Sequence, residues 1–231
     1  MSQLTGDERA SYVHHTFTRI ARQYNLMNRL MTAGQDIRWR KEAIQRLRLR
    51  PGMRLLDLGT GTGDLGREAL RQQPAARLVA ADFNLDMMFA GQASGHLPWL
   101  NADALRLPFP GRSFEAVVSG FLMRNVNDLA SALKEQYRIL TQDGRIVILE
   151  TTRPGFSIFT PLVRYYMRAV IPWIGGFVSG DREAYRYLPA SSESFLSAEE
   201  LAAQMASAGF MNVGFRRRML GTIAIHWGDK A

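Results

Sequence analysis

The sequence predicts an α/β protein, with a mostly parallel, Rossmann-like sheet, helices on both of its faces and a terminal antiparallel hairpin. First, short apolar segments alternate with helical ones from residue 53 to residue 150, the order that builds a parallel sheet. Second, three glycines at alternate positions, Gly59, Gly61 and Gly63, follow the first of these strands. Third, residues 213–218 and 222–227 alternate in the manner of a hairpin. Counting the hairpin, we expect seven strands.

Length and composition fit one soluble domain spanning residues 1–231. The hydrophobic share is 46% and the charged share 22%, both ordinary for a globular protein. The absence of cysteine excludes disulfides and cysteine-based metal or redox sites, and we expect no metal. The first nine residues are polar and no apolar segment of a signal peptide follows them. We therefore expect a cytoplasmic protein.

The chain carries a formal net charge of +8. Basic residues concentrate between Arg38 and Arg54 and again at residues 216–218. Such a surface can contact an anionic membrane, contact nucleic acid, or only be solvated. No zinc-finger, RNA-recognition or basic-zipper motif accompanies the charge. We therefore expect no nucleic-acid partner, and we favour peripheral contact with the inner face of a membrane.

The N-terminal segment, residues 1–50, is predicted to be a helical lid. Apolar side chains recur there every three or four residues, which is typical of an amphipathic helix. A break is expected at residues 32–35, followed by a second helix over 37–47 that Pro51 and Gly52 end. Packing explains such a stripe better than cofactor binding does. The stripe comprises Val13, Phe17, Ile20, Tyr24 and Met27.

Residues 53–150 are predicted to form the cofactor-binding core. The expected strands are 53–58, 77–82, 97–101, 114–119 and 144–150, and the expected helices are 64–72, 85–92 and 128–140. Ligands of parallel α/β sheets bind beyond the carboxyl ends of the strands. The segments 57–63 and 119–125 and the carboxylates Asp82 and Asp103 lie at the ends of strands, so we expect them to meet in one crevice.

The glycine loop predicts a nucleotide-type cofactor, because glycine lets a ligand approach the backbone N–H groups closely. Gly61 to Gly66 also satisfies the dinucleotide fingerprint G-x-G-x-x-G. Two features favour S-adenosylmethionine over NAD. Asp57, two residues before the first glycine, can accept a hydrogen bond from the ammonium group of a methionine moiety and would repel a pyrophosphate. The turn also has no basic residue to meet phosphate.

Two further carboxylates complete the predicted cofactor site. Asp82 ends the second strand and is suited to both ribose hydroxyls, a role that NAD would also require. Asp103 follows the third strand, where it can accept from an adenine amino group or form an Asx turn. The predicted cofactor-binding residues are Asp57, Gly59, Thr60, Gly61, Thr62, Gly63, Asp82, Phe83, Asp103, Ala104 and Gly120.

Residues 151–195 interrupt the alternation and are predicted to form a substrate lid. The segment 156–178 is rich in apolar side chains, but prolines and arginines break it, so it is not a membrane span. Packed helices, an apolar channel for a hydrophobic substrate and an interfacial surface all remain open. In residues 196–231, a capping box at Ser197 and Glu200 starts a helix that Gly209 ends, before the hairpin.

Four segments, in order, resemble the signatures of the S-adenosylmethionine-dependent C-methyltransferases of ubiquinone and menaquinone biosynthesis. Residues 24–39 (YNLMNRLMTAGQDIRW) resemble Y-D-x-M-N…H-x-x-W, and 121–126 (FLMRNV) resemble F-G-L-R-N-V. Residues 138–152 (RILTQDGRIVILETT) resemble R-V-L-K-P-G-G…E-x-S, and 185–189 (YRYLP) resemble S-Y-R-Y-L-P. The chain departs at Asn25, Asp36, Gly120, Leu122 and 141–143, which replace an aspartate, a histidine, a serine, a glycine and K-P-G.

This resemblance implies a class I methyltransferase fold and C-methylation of a reduced polyprenyl quinone precursor, with demethylmenaquinol preferred over a benzoquinol. S-adenosylmethionine would be the cofactor and S-adenosylhomocysteine the product. The family pattern makes Tyr24, Arg124 and Asn125 catalytic, with Arg124 as a fixed cation that stabilises the deprotonated hydroxyl. Alternatively, Arg124 anchors the end of the sheet and Asn125 caps the next helix. The predicted substrate-binding residues are Met27, Tyr185, Arg186 and Tyr187.

Two other hypotheses remain open. The first is a methyltransferase of another small molecule or of RNA, although no length is left for an RNA-binding module. The second is a non-catalytic protein that binds S-adenosylmethionine within a quinone-biosynthesis complex, a hypothesis motivated by the departures at Asp36 and Gly120. A homodimer is a further partner hypothesis. None of the four histidines lies in a matched motif, so none is predicted to be the base.

Overall fold

A computed structural model of the protein describes residues 6–153, 165–170, 187 and 191–231. Most of the predicted lid at 151–195, including Tyr185 and Arg186, lies outside the described residues.

The core is a seven-stranded sheet with the order β3-β2-β1-β4-β5-β7-β6. The strands β1 to β5 pair in parallel, while β7 is antiparallel to both β5 and β6. The prediction of a parallel sheet with a terminal antiparallel hairpin is therefore confirmed. The strands are β1 (Arg54–Leu58), β2 (Arg77–Asp82), β3 (Trp99–Asn101), β4 (Phe114–Gly120), β5 (Leu140–Thr151), β6 (Met211–Arg218) and β7 (Ile223–Asp229).

Seven α-helices with described bounds accompany the sheet. Helices α3 and α4 pack on one face of the sheet, and α6 and α7 on the other. Each face of the sheet carries one hydrophobic core cluster. In β1, Leu55 belongs to the cluster under α3 and α4 and Leu56 to the cluster under α6 and α7, because successive side chains of a strand point to opposite faces. The helices are α1 (Gly6–Ile20), α2 (Tyr24–Met31), α3 (Gln35–Leu47), α4 (Asp64–Gln72), α5 (Leu85–Gln92), α6 (Leu129–Ile139) and α7 (Ala198–Ser207).

The N-terminal segment differs from the prediction. Besides the expected break after α2, the chain turns at residues 21–23, where Gln23 N donates to Ile20 O over 3.0 Å. This turn brings Ile20 at the end of α1 and Met27 in α2 into one hydrophobic cluster, in which both side chains are completely buried. It also allows α1 to pack near α5 while α2 packs on α3. One amphipathic stripe therefore serves two helices with different neighbours.

Strand β5 starts four residues earlier than predicted because it contains a bulge. The β4 partner changes from Phe114 opposite Leu140 to Ala116 opposite Arg145. Within the bulge, Asp143 has a φ of 59° and donates its N–H to Lys230 O over 2.9 Å. The expected turn at 143–144 thus exists, but inside a strand.

The C-terminal helix follows the prediction. Ser197 and Glu200 form the capping box at the start of α7, and Gly209, with a φ of 104°, follows its end. Nowhere in the described ranges does a helix combine the length and the apolar character needed to cross a bilayer.

Candidate active site

A cavity of about 320 Å³ lies at the carboxyl ends of β1, β2 and β4. The glycine loop after β1 forms one wall, and residues of helix α1 form another. Nine of the predicted site residues line it: Tyr24, Gly59, Gly61, Asp82, Phe83, Asp103, Ala104, Gly120 and Asn125. The strand ends thus meet in one crevice, as the sequence predicted.

The three glycines of the loop all have a positive φ, which explains why glycine is needed at these positions. The φ angles are 66° at Gly59, 56° at Gly61 and 86° at Gly63, a region that side chains other than glycine rarely adopt. A Cβ on Gly59 would also lie 2.9 Å from Leu122 Cδ1. The loop therefore combines a left-handed backbone with close packing against the segment after β4.

Asp57 lies beneath this loop and is completely buried. Its Oδ2 accepts from Thr60 Oγ1 over 2.6 Å and from Gly66 N over 2.8 Å, whereas no described group donates to Oδ1. Burial raises the pKa of Asp57 to about 7, against the lowering effect of these two hydrogen bonds. Asp57 is not among the residues that line the cavity. The sequence prediction missed this role of holding the shape of the loop.

Asp82 connects the loop with the start of α5. Its Oδ2 accepts from Gly61 N over 2.7 Å and its Oδ1 accepts from Asn84 N over 2.8 Å. Desolvation by the surrounding protein raises the pKa of Asp82. Each carboxylate oxygen retains a second lone pair, so the side chain can also accept from hydroxyl groups in the cavity.

The charge of the cavity lining discriminates between the two cofactors considered. Asp82 and Asp103 line the cavity, and no lysine or arginine is among the described residues around it. An acidic lining would repel a pyrophosphate and suits a cofactor with a sulfonium and an ammonium group. The residues present therefore fit S-adenosylmethionine better than NAD.

Asp103 forms the Asx turn considered for it and also lies at the cavity. Its Oδ1 accepts from Leu105 N over 2.9 Å, which is an Asx turn, and the residue also lines the cavity beside Ala104. Gly120 lines the cavity too, and a Cβ there would lie 2.7 Å from Leu65 Cδ1. The side chain of Leu65 thus occupies the space that the family's serine would need.

Arg124 is buried in an ion pair with Glu150 at the end of β5. The two side chains are 5% and 0% exposed, and Arg124 N also donates to Glu150 Oε2 over 3.3 Å. Arg124 does not line the described cavity, and Glu150 compensates its charge. This arrangement matches the alternative in which Arg124 anchors the end of the sheet.

Asn125, by contrast, faces the cavity. Its Nδ2 donates to Phe121 O over 2.9 Å and its Oδ1 accepts from Tyr187 Oη over 3.0 Å. The alternative in which Asn125 caps the next helix is wrong, because Asp128 is the N-cap of α6. Burial raises the pKa of Tyr187, which keeps its hydroxyl a proton donor. Tyr187 therefore fixes the orientation of the Asn125 side chain through this hydrogen bond.

The N-terminal residues divide between the cavity and the core. Tyr24 lines the cavity, with its ring 6.0 Å from that of Phe17. Met27 is completely buried against Ile20 and does not line this cavity. Packing therefore accounts for Met27, and the structure does not support its assignment to substrate binding.

Two departures from the family pattern have structural explanations. Asn25 accepts from Thr62 Oγ1 over 2.7 Å and donates to Asp64 Oδ1 over 3.2 Å, so α2 is attached to the glycine loop. Asp36 is 1% exposed and pairs with Arg29 and Arg40. It therefore joins α2 to α3, away from the residues that line the cavity.

Sequence reasoning missed the contribution of α1. His14 lines the cavity together with Val13 and Phe17, and its ring lies 5.9 Å from that of Phe83. The periodicity of α1 gave the signal, because these residues share one helix face. Such periodicity predicts packing, since the sequence alone does not show that this face meets a cavity.

Comparisons with known proteins find relatives along almost the whole chain. The model of the ubiE/COQ5 methyltransferase family matches residues 4–230. The chain is 43% identical to the ubiquinone/menaquinone biosynthesis C-methyltransferase UbiE of Desulfotalea psychrophila, over 94% of this chain and 90% of that protein. It is 42% identical to the demethylmenaquinone methyltransferase of Thermus thermophilus, over 93% and 99% of the two chains.

The fold also matches solved structures. One is a SAM-dependent methyltransferase from Thermotoga maritima, described as a possible histamine N-methyltransferase, with a TM-score of 0.66 and 21% identity. The match covers 94% of this chain and 99% of that one. It supports the class I methyltransferase fold and, at this identity, nothing more specific.

Proposed function

The chain belongs to the ubiE/COQ5 methyltransferase family, and on that premise we propose that it methylates a ring carbon of a reduced polyprenyl quinone precursor. S-adenosylmethionine would be the methyl donor. Demethylmenaquinol, giving menaquinol, is the preferred substrate, because menaquinone is common to the names of both kinds of relative, whereas ubiquinone is in the names of only one kind.

One observation above all supports the choice of cofactor. The cavity beside the glycine loop presents two carboxylates and, among its described lining residues, no lysine or arginine. We assign Asp82 to the ribose hydroxyls and Asp103 to the adenine amino group. Gly59 and Gly61 allow close approach to the loop. When bound, S-adenosylmethionine supplies an electrophilic methyl group, so the protein mainly has to align the acceptor and exclude water.

The acceptor carbon gains electron density when the neighbouring ring hydroxyl loses its proton. We assign Tyr24 and Asn125 to this hydroxyl, because both line the cavity and both carry hydrogen-bond donors. Donors aimed at the resulting oxyanion stabilise it. Arg124 would act through Asn125, as a positioning residue whose ion pair with Glu150 fixes the backbone beside it.

The polyprenyl tail motivates a finer proposal, that the protein contacts a membrane surface. Several basic residues of the segments 38–54 and 216–218 are already in ion pairs. These pairs are Arg40 with Asp36, Arg54 with Glu115 and Arg218 with Glu42. The exposed basic residues Arg38, Lys41, Arg48 and Arg50 remain for anionic lipid. Flotation with vesicles should depend on their content of anionic lipid. Flotation that is insensitive to this content would contradict the proposal.

The reaction is tested with purified protein, S-adenosylmethionine and quinols kept reduced. We expect methylated product and S-adenosylhomocysteine with a demethylmenaquinol, and slower turnover with the corresponding benzoquinol. Tight cofactor binding with no product from either quinol would instead favour the non-catalytic assembly protein. Turnover of only an unrelated small molecule or RNA would move the proposal to another substrate class.

A further inference from the structure

Helix α1 is a wall of the cavity, although it lies outside the sheet and its two core clusters. Four of its residues, at positions 10, 13, 14 and 17, line the cavity. This spacing places them on one helix face. A displacement of α1 would therefore remove one side of the proposed cofactor site.

Asn84 holds this helix in place. Its Nδ2 donates to His14 O over 3.0 Å and to Thr18 Oγ1 over 3.1 Å, and Thr18 Oγ1 in turn donates to Asp86 Oδ2 over 2.9 Å. These contacts lie at the middle and the C-terminal part of α1, beside the residues that face the cavity.

The same residue is tied to the core and to the ribose carboxylate. Its Oδ1 accepts from Met87 N over 3.1 Å and caps α5, while its own N donates to Asp82 Oδ1 over 2.8 Å. Asn84 is 6% exposed. A cap requires only the acceptor oxygen, so the two bonds from Nδ2 to α1 exceed what capping explains.

We propose that Asn84 is a positioning residue that fixes α1 as a wall of the cavity and thereby sets the affinity for the cofactor. Its backbone holds the carboxylate assigned to the ribose, and its side chain holds the helix that covers the same end of the cavity. His14, whose carbonyl accepts this bond, is thus kept near Phe83 at the cavity edge. The affinity part rests on the proposed function, whereas the placement of α1 does not.

Two substitutions separate positioning from capping. Asn84→Ser keeps an acceptor for Met87 N but cannot reach α1, and Thr18→Val removes one of the two acceptors on α1 while leaving Asn84 and the His14 carbonyl intact. Thr32→Val is the matched control, because Thr32 bonds to Asn28 O and Asp36 Oδ1 at the end of α2. Thermal unfolding should show that all three variants remain folded.

Hydrogen exchange without ligand, measured by mass spectrometry, reports on the placement of α1. We expect the amides of residues 6–20 to exchange about tenfold faster in Asn84→Ser and Thr18→Val, because the helix opens more often. The amides of α4 and α7 should be unchanged. Unaltered exchange of α1 in both variants would overturn the placement.

Calorimetry with S-adenosylhomocysteine reports on affinity. We expect Asn84→Ser to raise Kd about tenfold, which corresponds to about 1.4 kcal/mol, and Thr32→Val to leave it unchanged. Because Asn84 itself lines the cavity whereas Thr18 does not, Thr18→Val should also raise Kd if the effect is transmitted through α1. Faster exchange of α1 with an unchanged Kd would overturn the affinity part. If the wild-type protein does not bind the ligand, the proposed function fails, while the exchange data still decide the placement of α1.

Discussion

Replacement of Arg124 tests whether its buried ion pair supports the site. Arg124 and Glu150 are 5% and 0% exposed, so Arg124→Ala leaves a carboxylate buried without its main partner. Breaking such a pair costs about 3–5 kcal/mol. A protein of this size loses about 2–4 °C in Tm per kcal/mol. We therefore expect Tm to fall by roughly 10 °C.

Urea unfolding followed by tryptophan fluorescence measures the loss directly. Arg54→Ala is the matched control, because Arg54 and Glu115 form an ion pair whose side chains are 45% and 30% exposed. An exposed pair contributes at most about 1 kcal/mol. The double variant Arg124→Met with Glu150→Leu should recover part of the lost stability, since it leaves no unpaired buried charge. The recovery is partial because the N–H groups of Arg124 and Thr151 lose an acceptor on Glu150.

The reasoning would be refuted if Arg124→Ala were no less stable than Arg54→Ala. Turnover of the double variant then separates positioning from packing. If Arg124 positions Asn125, the stable double variant should still bind S-adenosylhomocysteine but turn over at least about tenfold more slowly. Normal turnover would remove Arg124 from the mechanism.

Three further outcomes are expected. The pKa of Asp57 rises from 3.8 to about 7 on folding, so the native state binds the extra proton and wild-type stability is lost as pH increases from about 4 to 7. Asp57→Asn should lack this loss of stability, which is up to ~4 kcal/mol. The prediction would be contradicted if the free energies of unfolding of the two proteins, measured in urea, changed in parallel with pH. Asp82→Asn should raise Kd for S-adenosylhomocysteine about 10- to 100-fold, because a charge-assisted acceptor is lost, and an unchanged Kd in calorimetry would remove Asp82 from the site. Met27→Ala should lower the free energy of unfolding in urea by about 2–5 kcal/mol, because it leaves a void in the core, without changing KM for the quinol. A raised KM at normal stability would return Met27 to the substrate site.

The sheet and the position of the site could be predicted because their determinants are local. Asp57 lies next to the end of β1, Asp82 ends β2, and three glycines mark a turn that few other residues permit. Parallel topology then brings the strand ends together. The bulge in β5 could not be predicted, because the shift opposite Phe114 depends on pairing between distant strands.

The supporting contacts were missed because they join residues far apart in the sequence. Asn84 and His14 are 70 residues apart, and Arg124 and Glu150 are 26 apart. Sequence reasoning could assign Arg124 to catalysis or to anchoring, but only the position of Glu150 shows that its charge is compensated. Likewise, the stripe through Met27 could not show which of its residues face the core and which face the cavity.

Calorimetry on the wild-type protein tests the central claim most directly. An acidic cavity beside a glycine loop should bind S-adenosylhomocysteine, with one site per chain, and should give no heat with NADH. Binding of NADH together with no heat from S-adenosylhomocysteine would contradict the account.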